Sequence, residues 1–392
     1  MVDGIGHWTT LARRRSCRRS PPPHRRRTPS STGGSDPAHY GDAIPTAALL
    51  SFRLGGSDGV AIEAAKWEGA LSTLGFTTFT VAGDGPADRV LPGLAMGAAE
   101  PPTRSELAST LEDADVVVVE NLCSLPLNPG AASAVAATLA GRPAVLHHHD
   151  LPWQRSQFLD HPPPPVDRRW SQVTINELSR RQLADRGIAA TTIYNAFAVG
   201  EGTSGRPDDP SRRTQVRKAL GVGDDQRLVL QPTRAIPRKN VGGGIEVAVE
   251  LDAVFWLLGA AEDGYGPELD ALIDHADCPV VLGAPGGHVA IGVHDAYEAS
   301  DVVTLPSTWE GFGNPTIESV VHRRPLAVGP YPVARELEAF GFEWFALDEM
   351  DRLARWLDRP DQGLLDRNTA VASAHFSLRD LPAKIAAVLP HW

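Results

Sequence analysis

Two carboxylates, Glu310 and Glu318, stand in the stretch Thr308-Trp-Glu-Gly-Phe-Gly-Asn-Pro-Thr-Ile-Glu-Ser319, with Gly311, Phe312, Gly313, Asn314 and Pro315 between them. A carboxylate accepts hydrogen bonds from hydroxyl groups. The N–H groups of a glycine loop that opens a helix suit an anion or a hydroxyl-rich ligand. Ahead of the loop, Asp301-Val-Val-Thr-Leu-Pro306 predicts a buried strand. Behind it, Pro315 suits a first helical position, and a helix can continue from Thr316 to His322. The order strand, glycine loop, helix places Glu310 at the carboxyl end of a strand and Glu318 about one helical turn in. Open α/β sheets bind ligands at that edge. Taken alone, the spacing better suits an ordinary helix start with one acidic residue favoured by the dipole and one solvated glutamate.

A second stretch, Leu228-Val-Leu-Gln-Pro-Thr-Arg-Ala-Ile-Pro-Arg-Lys-Asn240, is another apolar strand running into a loop. The loop carries Arg234, Arg238 and Lys239, and Asn240 can cap the next helix. Two cations at a strand's carboxyl end suit a pyrophosphate, arginine as a planar fork and lysine as a point charge.

Three earlier segments add polar groups at strand ends. Gly55-Gly56-Ser57 follows the strand Thr46–Arg53; glycines there let backbone approach a phosphate or sugar closely. Glu120 and Asn121 end the run Asp115-Val-Val-Val-Val-Glu120 and could meet a second substrate or cap the strand. Ala144-Val-Leu-His-His-His149-Asp150 ends in three histidines. They cannot all reach one metal ion from a strand, because successive side chains point to opposite faces. Asp113-Ala-Asp115 has metal-binding spacing but begins a strand instead of ending one, so no metal site is predicted.

Together these residues resemble a known family. Arg234-x4-Lys239 followed by Glu310-x7-Glu318 is similar to the donor-site signature of GT4-type retaining glycosyltransferases (glycosyl transferases group 1), which have the GT-B fold. The resemblance covers roughly residues 45 to 390. It includes Gly55-Gly56-Ser57, His149-Asp150 after the strand that begins at Pro143, and the Tyr194-Asn195-Ala196-Phe197 crossover. Two departures are Asn195-Ala196, where Asn-Gly is frequent, and Asn240, where glycine often follows the lysine. Neither removes a charged group.

The resemblance implies an α/β fold of the GT-B type, with two Rossmann-like doubly wound domains facing across a cleft. Residues 43–199 would bind the acceptor and 213–375 the nucleotide sugar, with a linker at 200–212. Residues 376–392 would form a C-terminal helix crossing back to the first domain. The implied activity moves a hexosyl group, with retention and without a metal ion or other cofactor, from a UDP- or GDP-sugar to a hydroxyl acceptor that is a sugar, a polyol or lipid-linked. Arg234 and Lys239 would offset charge on the leaving diphosphate. His149 would bind the donor sugar near its reacting carbon. Glu310 and the amides of Gly311, Phe312, Gly313 and Asn314 would position the sugar hydroxyls. Glu318 would accept from the ribose. Gly56 and Ser57 would also touch the donor, and Glu120, Asn121 and Asp150 the acceptor. His147 and His148 read as strand or packing residues.

The rest of the chain agrees. Its 392 residues predict at least two domains, and strands alternate with helices on both sides of the glycine-rich run Gly200–Pro210. Three dispersed cysteines argue against a disulfide framework and fit a reducing, cytoplasmic setting, with peripheral contact at a membrane surface as a further expectation. No apolar run approaches a membrane span, so no integral membrane segment is expected. The net charge is −11, yet residues 1–40 hold eight arginines and two aspartates, which leaves −17 on the remainder. The body therefore disfavours nucleic acid. Residues 1–42 read as a disordered Arg/Pro-rich extension. Two other readings stay open: another GT-B activity, either nucleotide-sugar epimerase or retaining phosphorylase, and a polyanion-binding protein acting through the arginine arm.

Overall fold

A computed structural model describes residues 44–56, 58–200, 210–284 and 290–390 of the chain. The extension at 1–42, most of the linker and Ser57 lie outside the described residues.

Strand β1 (Thr46–Arg53) shows how the sequence builds its sheet. Ala47 and Leu49 enter one core, and Ala48, Leu50 and Phe52 enter another. Both faces are covered, which is why the strand reads as a near-continuous apolar run. It is joined by β2 (Thr77–Asp84), β3 (Arg89–Val90), β4 (Val116–Glu120), β5 (Ala144–His148), β6 (Trp170–Thr174) and β7 (Thr191–Thr192). The seven strands lie in the order β3-β2-β1-β4-β5-β6-β7, and every pairing is parallel.

A second sheet repeats the plan with β8 (Arg227–Gln231), β9 (Ala253–Leu257), β10 (Val280–Leu282), β11 (Val302–Leu305), β12 (Leu326–Val328) and β13 (Phe345–Ala346). Its order is β10-β9-β8-β11-β12-β13, again all parallel. On β8, Leu228 and Leu230 face one core and Val229 the other. These are the two doubly wound sheets of the GT-B architecture. The long strands fall within a few residues of their sequence-predicted bounds. The two-residue strands β3, β7 and β13 are too short to leave a period.

Strand order reverses between β1 and β4 and again between β8 and β11. Loops leaving these four strands diverge and open a crevice at each carboxyl edge. They are the loops of Gly55-Gly56, Glu120-Asn121, Arg234–Lys239 and Ser307–Asn314. His149 leaves β5, the next strand along.

The C-terminal segment is a 3₁₀ turn, Leu378–Asp380, followed by the helix Leu381–Ala386. Leu381, Ile385 and Val388 pack with Ala47, Leu49 and Trp67, in the core of the first sheet. The two chain crossings are stitched together. Phe197 N–H donates to the Phe376 carbonyl at 2.8 Å, and Leu378 N–H donates to the Phe197 carbonyl at 2.7 Å. Among the described residues no helix is long and apolar enough to cross a membrane.

Candidate active site

The loop after β8 is shaped by Asn240. Its φ of 48° is left-handed, which explains why glycine suits this position and why asparagine can replace it. Its side chain accepts from Gly243 N–H at 3.2 Å, capping the helix Val241–Glu250, and donates to the Pro306 carbonyl at 3.2 Å. This folds the loop onto the one after β11. Arg238 donates to the Trp309 carbonyl and to Glu310 Oε2, both at 2.9 Å. Lys239 donates to Glu310 Oε1, which also accepts from the Ser307 hydroxyl at 2.6 Å.

A cation in a loop at a sheet edge is expected to face solvent, but Lys239 does not. It is 8 % exposed and closes over Glu310, itself 5 % exposed. Burial pushes the Glu310 carboxyl up, but Lys239 and Arg238 outweigh it and hold it below the usual carboxylate range. A carboxylate has about four lone-pair sites. Three are used here, which leaves one for a substrate hydroxyl. Arg234 stands apart and pairs with Glu262 at 2.6 Å, both well exposed.

In the loop Gly311–Asn314 the residues take different parts. Phe312 is 3 % exposed, and its ring packs 6.0 Å from the rings of Phe197 and Phe376. Its side chain belongs to the core, so only its backbone can serve a donor. Gly313 has a φ of 88° and passes so close to Tyr331 that a Cβ would lie 2.2 Å from the phenol oxygen. Pro315 opens the helix Pro315–Val321, and Glu318, half-buried within it, accepts from the Tyr297 hydroxyl at 2.6 Å.

On the facing edge the ladder of β4 and β5 sets Glu120 opposite His147. Glu120 Oε2 accepts from His147 Nδ1 and from His149 Nε2, each at 2.8 Å. Alternation separates the three histidines only in part: His148 points away to Ser124 and Gln172, while His147 and His149 share a face with Glu120. One ligand atom from each of the three lies within 4.8 Å of the others, a spacing a metal could use, though here hydrogen bonds join them.

Glu120 has no exposed surface, so it cannot touch an acceptor directly; it holds His149. Burial raises the Glu120 carboxyl, yet the two imidazoles prevail and hold it at about 2. Burial lowers His149, but Glu120, Glu63 and Asp150 overcome it and raise the imidazole above its ordinary value. Burial wins at His147, which is lowered, and at His148, pushed down to about 4. The Trp67 ring packs 4.3 Å from His147.

Asn121 adopts a left-handed φ of 59° and accepts from His149 N–H at 3.1 Å and Asp150 N–H at 3.2 Å. It shapes the backbone of the histidine loop. Asp150 pairs with Arg155 at 3.0 Å. Near β1, the Asp58 carboxylate already accepts from Val60 and Ala61 N–H, so the start of the helix Gly59–Thr73 is capped from within. Gly56 borders that cap.

The two edges touch. A Cβ on Gly311 would lie 2.5 Å from the His149 carbonyl, so only glycine admits this approach. Asn176 Nδ2 donates to the Gly311 carbonyl at 2.5 Å, and Asn195 Nδ2 to Asn314 Oδ1 at 2.8 Å. Glu336 accepts from Glu177 and Leu178 N–H, at 2.6 and 3.0 Å, and from the Tyr194 hydroxyl at 2.7 Å. Sequence reasoning missed Ser307, Asn176, Glu336 and Tyr297, which carry no motif of their own, and it set aside Arg238 although it lies between the two chosen cations.

The chain has curated relatives. It is 24% identical over 389 residues to mannosylglucosylglycerate synthase of Petrotoga mobilis, covering 80% of this chain and 89% of the relative. It is 22% identical over 420 residues to the protein of the same name from Thermotoga maritima, covering 85% and 97%. Among solved structures, Anabaena HepE in complex with UDP-glucose superposes with a TM-score of 0.65 at 19% identity, over 87% of this chain and 98% of that one. WaaG, a glycosyltransferase involved in lipopolysaccharide biosynthesis, gives 0.58 at 14%, over 88% and 99%. No family model matches the chain.

Proposed function

We propose that this chain, a glycosyltransferase of the GT-B fold, moves a hexosyl group from a UDP- or GDP-sugar to a hydroxyl of a small polar acceptor, with retention and without a metal ion. The observation that carries the reading is the approach of Gly311, next to the Lys239–Glu310–Arg238 cluster, to the His149 carbonyl: the cluster stands where the second sheet reverses its strand order, and His149 leaves the strand beside the first reversal. UDP-glucose bound to HepE supports the donor class. The name mannosylglucosylglycerate synthase supports a small sugar acid as acceptor.

In this reading the donor diphosphate lies over the loop after β8. Arg234 exchanges Glu262 for phosphate oxygens, and Lys239 leans from Glu310 toward the leaving group. Preorganised cations of this kind stabilise charge as it develops, the part a metal plays elsewhere. The spare lone pair of Glu310 and the amides of Gly311–Asn314 hold the sugar hydroxyls. His149, held by its hydrogen bond to Glu120, faces the sugar from the opposite edge. Glu318, aligned by Tyr297, accepts from the ribose. The departing phosphate oxygen takes the acceptor proton, so no separate protein base is needed.

The experiment is a panel of UDP- and GDP-sugars with glucosylglycerate and simple polyols as acceptors, run with and without excess EDTA. Nucleotide release is measured, and the product anomer is read by NMR. The expected result is acceptor-dependent release, a retained anomer and full activity in chelator. An inverted anomer would overturn retention, and EDTA loss restored by Mg²⁺ would overturn metal independence. Turnover only with free phosphate as co-substrate would favour the phosphorylase reading.

A further inference from the structure

The helix Val293–Ala299 carries His294 and Glu298 four residues apart, hence on one face. His322, which ends the helix Pro315–Val321, packs against both. Its ring centroid lies 4.7 Å from that of His294, and its Nδ1 lies 3.2 Å from Glu298 Oε1. One ligand atom from each of the three falls within 4.8 Å of the others. All three side chains are partly exposed, so an ion can reach them from solvent.

We propose that His294, Glu298 and His322 form a binding site for a borderline divalent transition-metal ion such as Zn²⁺. Two imidazoles and one carboxylate are a ligand set that holds zinc with a fourth position open. Metal–ligand distances of about 2.1 Å in a tetrahedron set ligand atoms about 3.4 Å apart. The His322–Glu298 pair is already at that spacing. His294 has a short distance to close, within reach of side-chain rotation. Imidazole nitrogens disfavour Mg²⁺ and Ca²⁺, which prefer oxygen.

Arg324 binds the outer oxygen, Glu298 Oε2, at 3.3 Å, and the Glu298 carbonyl at 3.0 Å. It fixes the carboxylate with Oε1 toward the histidines, and its charge makes the site weaker than a structural zinc site. His322 lies four residues beyond Glu318, and the Tyr297 ring stacks on it at 4.7 Å and 13°. The ion would therefore bind one helical turn from the ribose contact and away from the diphosphate loop. Chelator-resistant transfer and this site are compatible, and the site does not depend on the donor reading.

The test is calorimetric titration of ZnCl₂ into the full chain after chelator treatment, with no nucleotide present. The parent should take up one equivalent with a Kd of about 1 µM. His294→Ala and His322→Ala should each weaken uptake by about tenfold or more, and Glu298→Gln, which keeps the side-chain shape, should do likewise. His147→Ala should bind as the parent does, separating this cluster from the buried one at Glu120. Parent-like binding in both histidine variants, or no saturable uptake by the parent up to about 1 mM zinc, would overturn the site.

Discussion

Replacing Lys239 with alanine acts at the centre of the site. The change leaves the buried Glu310 carboxylate with Arg238 at 2.9 Å and the Ser307 hydroxyl at 2.6 Å. Breaking a buried ion pair outright costs about 3–5 kcal/mol. Here Arg238 still compensates the charge, so a loss of about 2 kcal/mol in stability is expected. Catalysis should suffer more. Removing one preorganised charge-stabilising group costs about 3–4 kcal/mol, on the order of 10²-fold to 10³-fold in kcat. A cycle with Glu310→Gln separates the two effects. Neutralising the carboxylate in the lysine-free background should return part of the lost stability, with a coupling of about 1 kcal/mol or more. Rate should stay low in both variants. Urea midpoints give the stability arm, and steady-state transfer with saturating donor gives the rate arm. A kcat for Lys239→Ala within about threefold of the parent would refute the leaving-group role. Strict additivity in the urea midpoints would refute the buried pair.

Arg234→Ala should lower kcat by about 10²-fold. It should shift stability by less than about 0.5 kcal/mol, because its ion pair with Glu262 is exposed; a large stability loss would mean the arginine is structural. Glu318→Gln should weaken calorimetric UDP or GDP binding by about 1–3 kcal/mol with little change in kcat, and Tyr297→Phe should do the same more mildly; unchanged nucleotide affinity in Glu318→Gln would remove the ribose contact. Glu120→Gln should flatten the pH dependence of stability. His149 is raised above its ordinary 6.5, so its contribution is complete below that pH and fades as pH climbs through the folded value. Glu120 is lowered from 4.5 to about 2, so its contribution is complete above 4.5 and fades as pH falls toward 2. The gap between parent and variant in urea midpoint should thus be widest between those two ordinary values and shrink on either side; a gap that kept widening as pH rose above 6.5 would contradict the pairing.

Much of the scaffold is written locally. Apolar runs such as Val302–Leu305 mark strands that are buried on both faces. Pro315 and Asn240 mark helix starts by their own backbone chemistry, and both stand there in the structure. The loops that carry Arg234, Lys239, Glu310 and Glu318 follow from those boundaries, because a strand that ends must hand its polar residues to the sheet edge. Which partner each polar group takes is not local. Period two says that His147 and His149 share a face, but only the β4–β5 register, Glu120 opposite His147, turns them onto one carboxylate. Phe312 has the sequence setting of a binding loop, and the aromatic residues of two chain crossings bury its ring. Lys239 reads as a free cation until Asn240 folds its loop against Pro306 and brings Glu310 within reach. The long strands, the helix starts and the residues placed at the sheet edges were legible in the chain itself, since these follow from side-chain period and capping over a few residues. Which charges pair with one another was settled by the fold, because burial and distance between segments far apart in the chain set the strength of an ion pair.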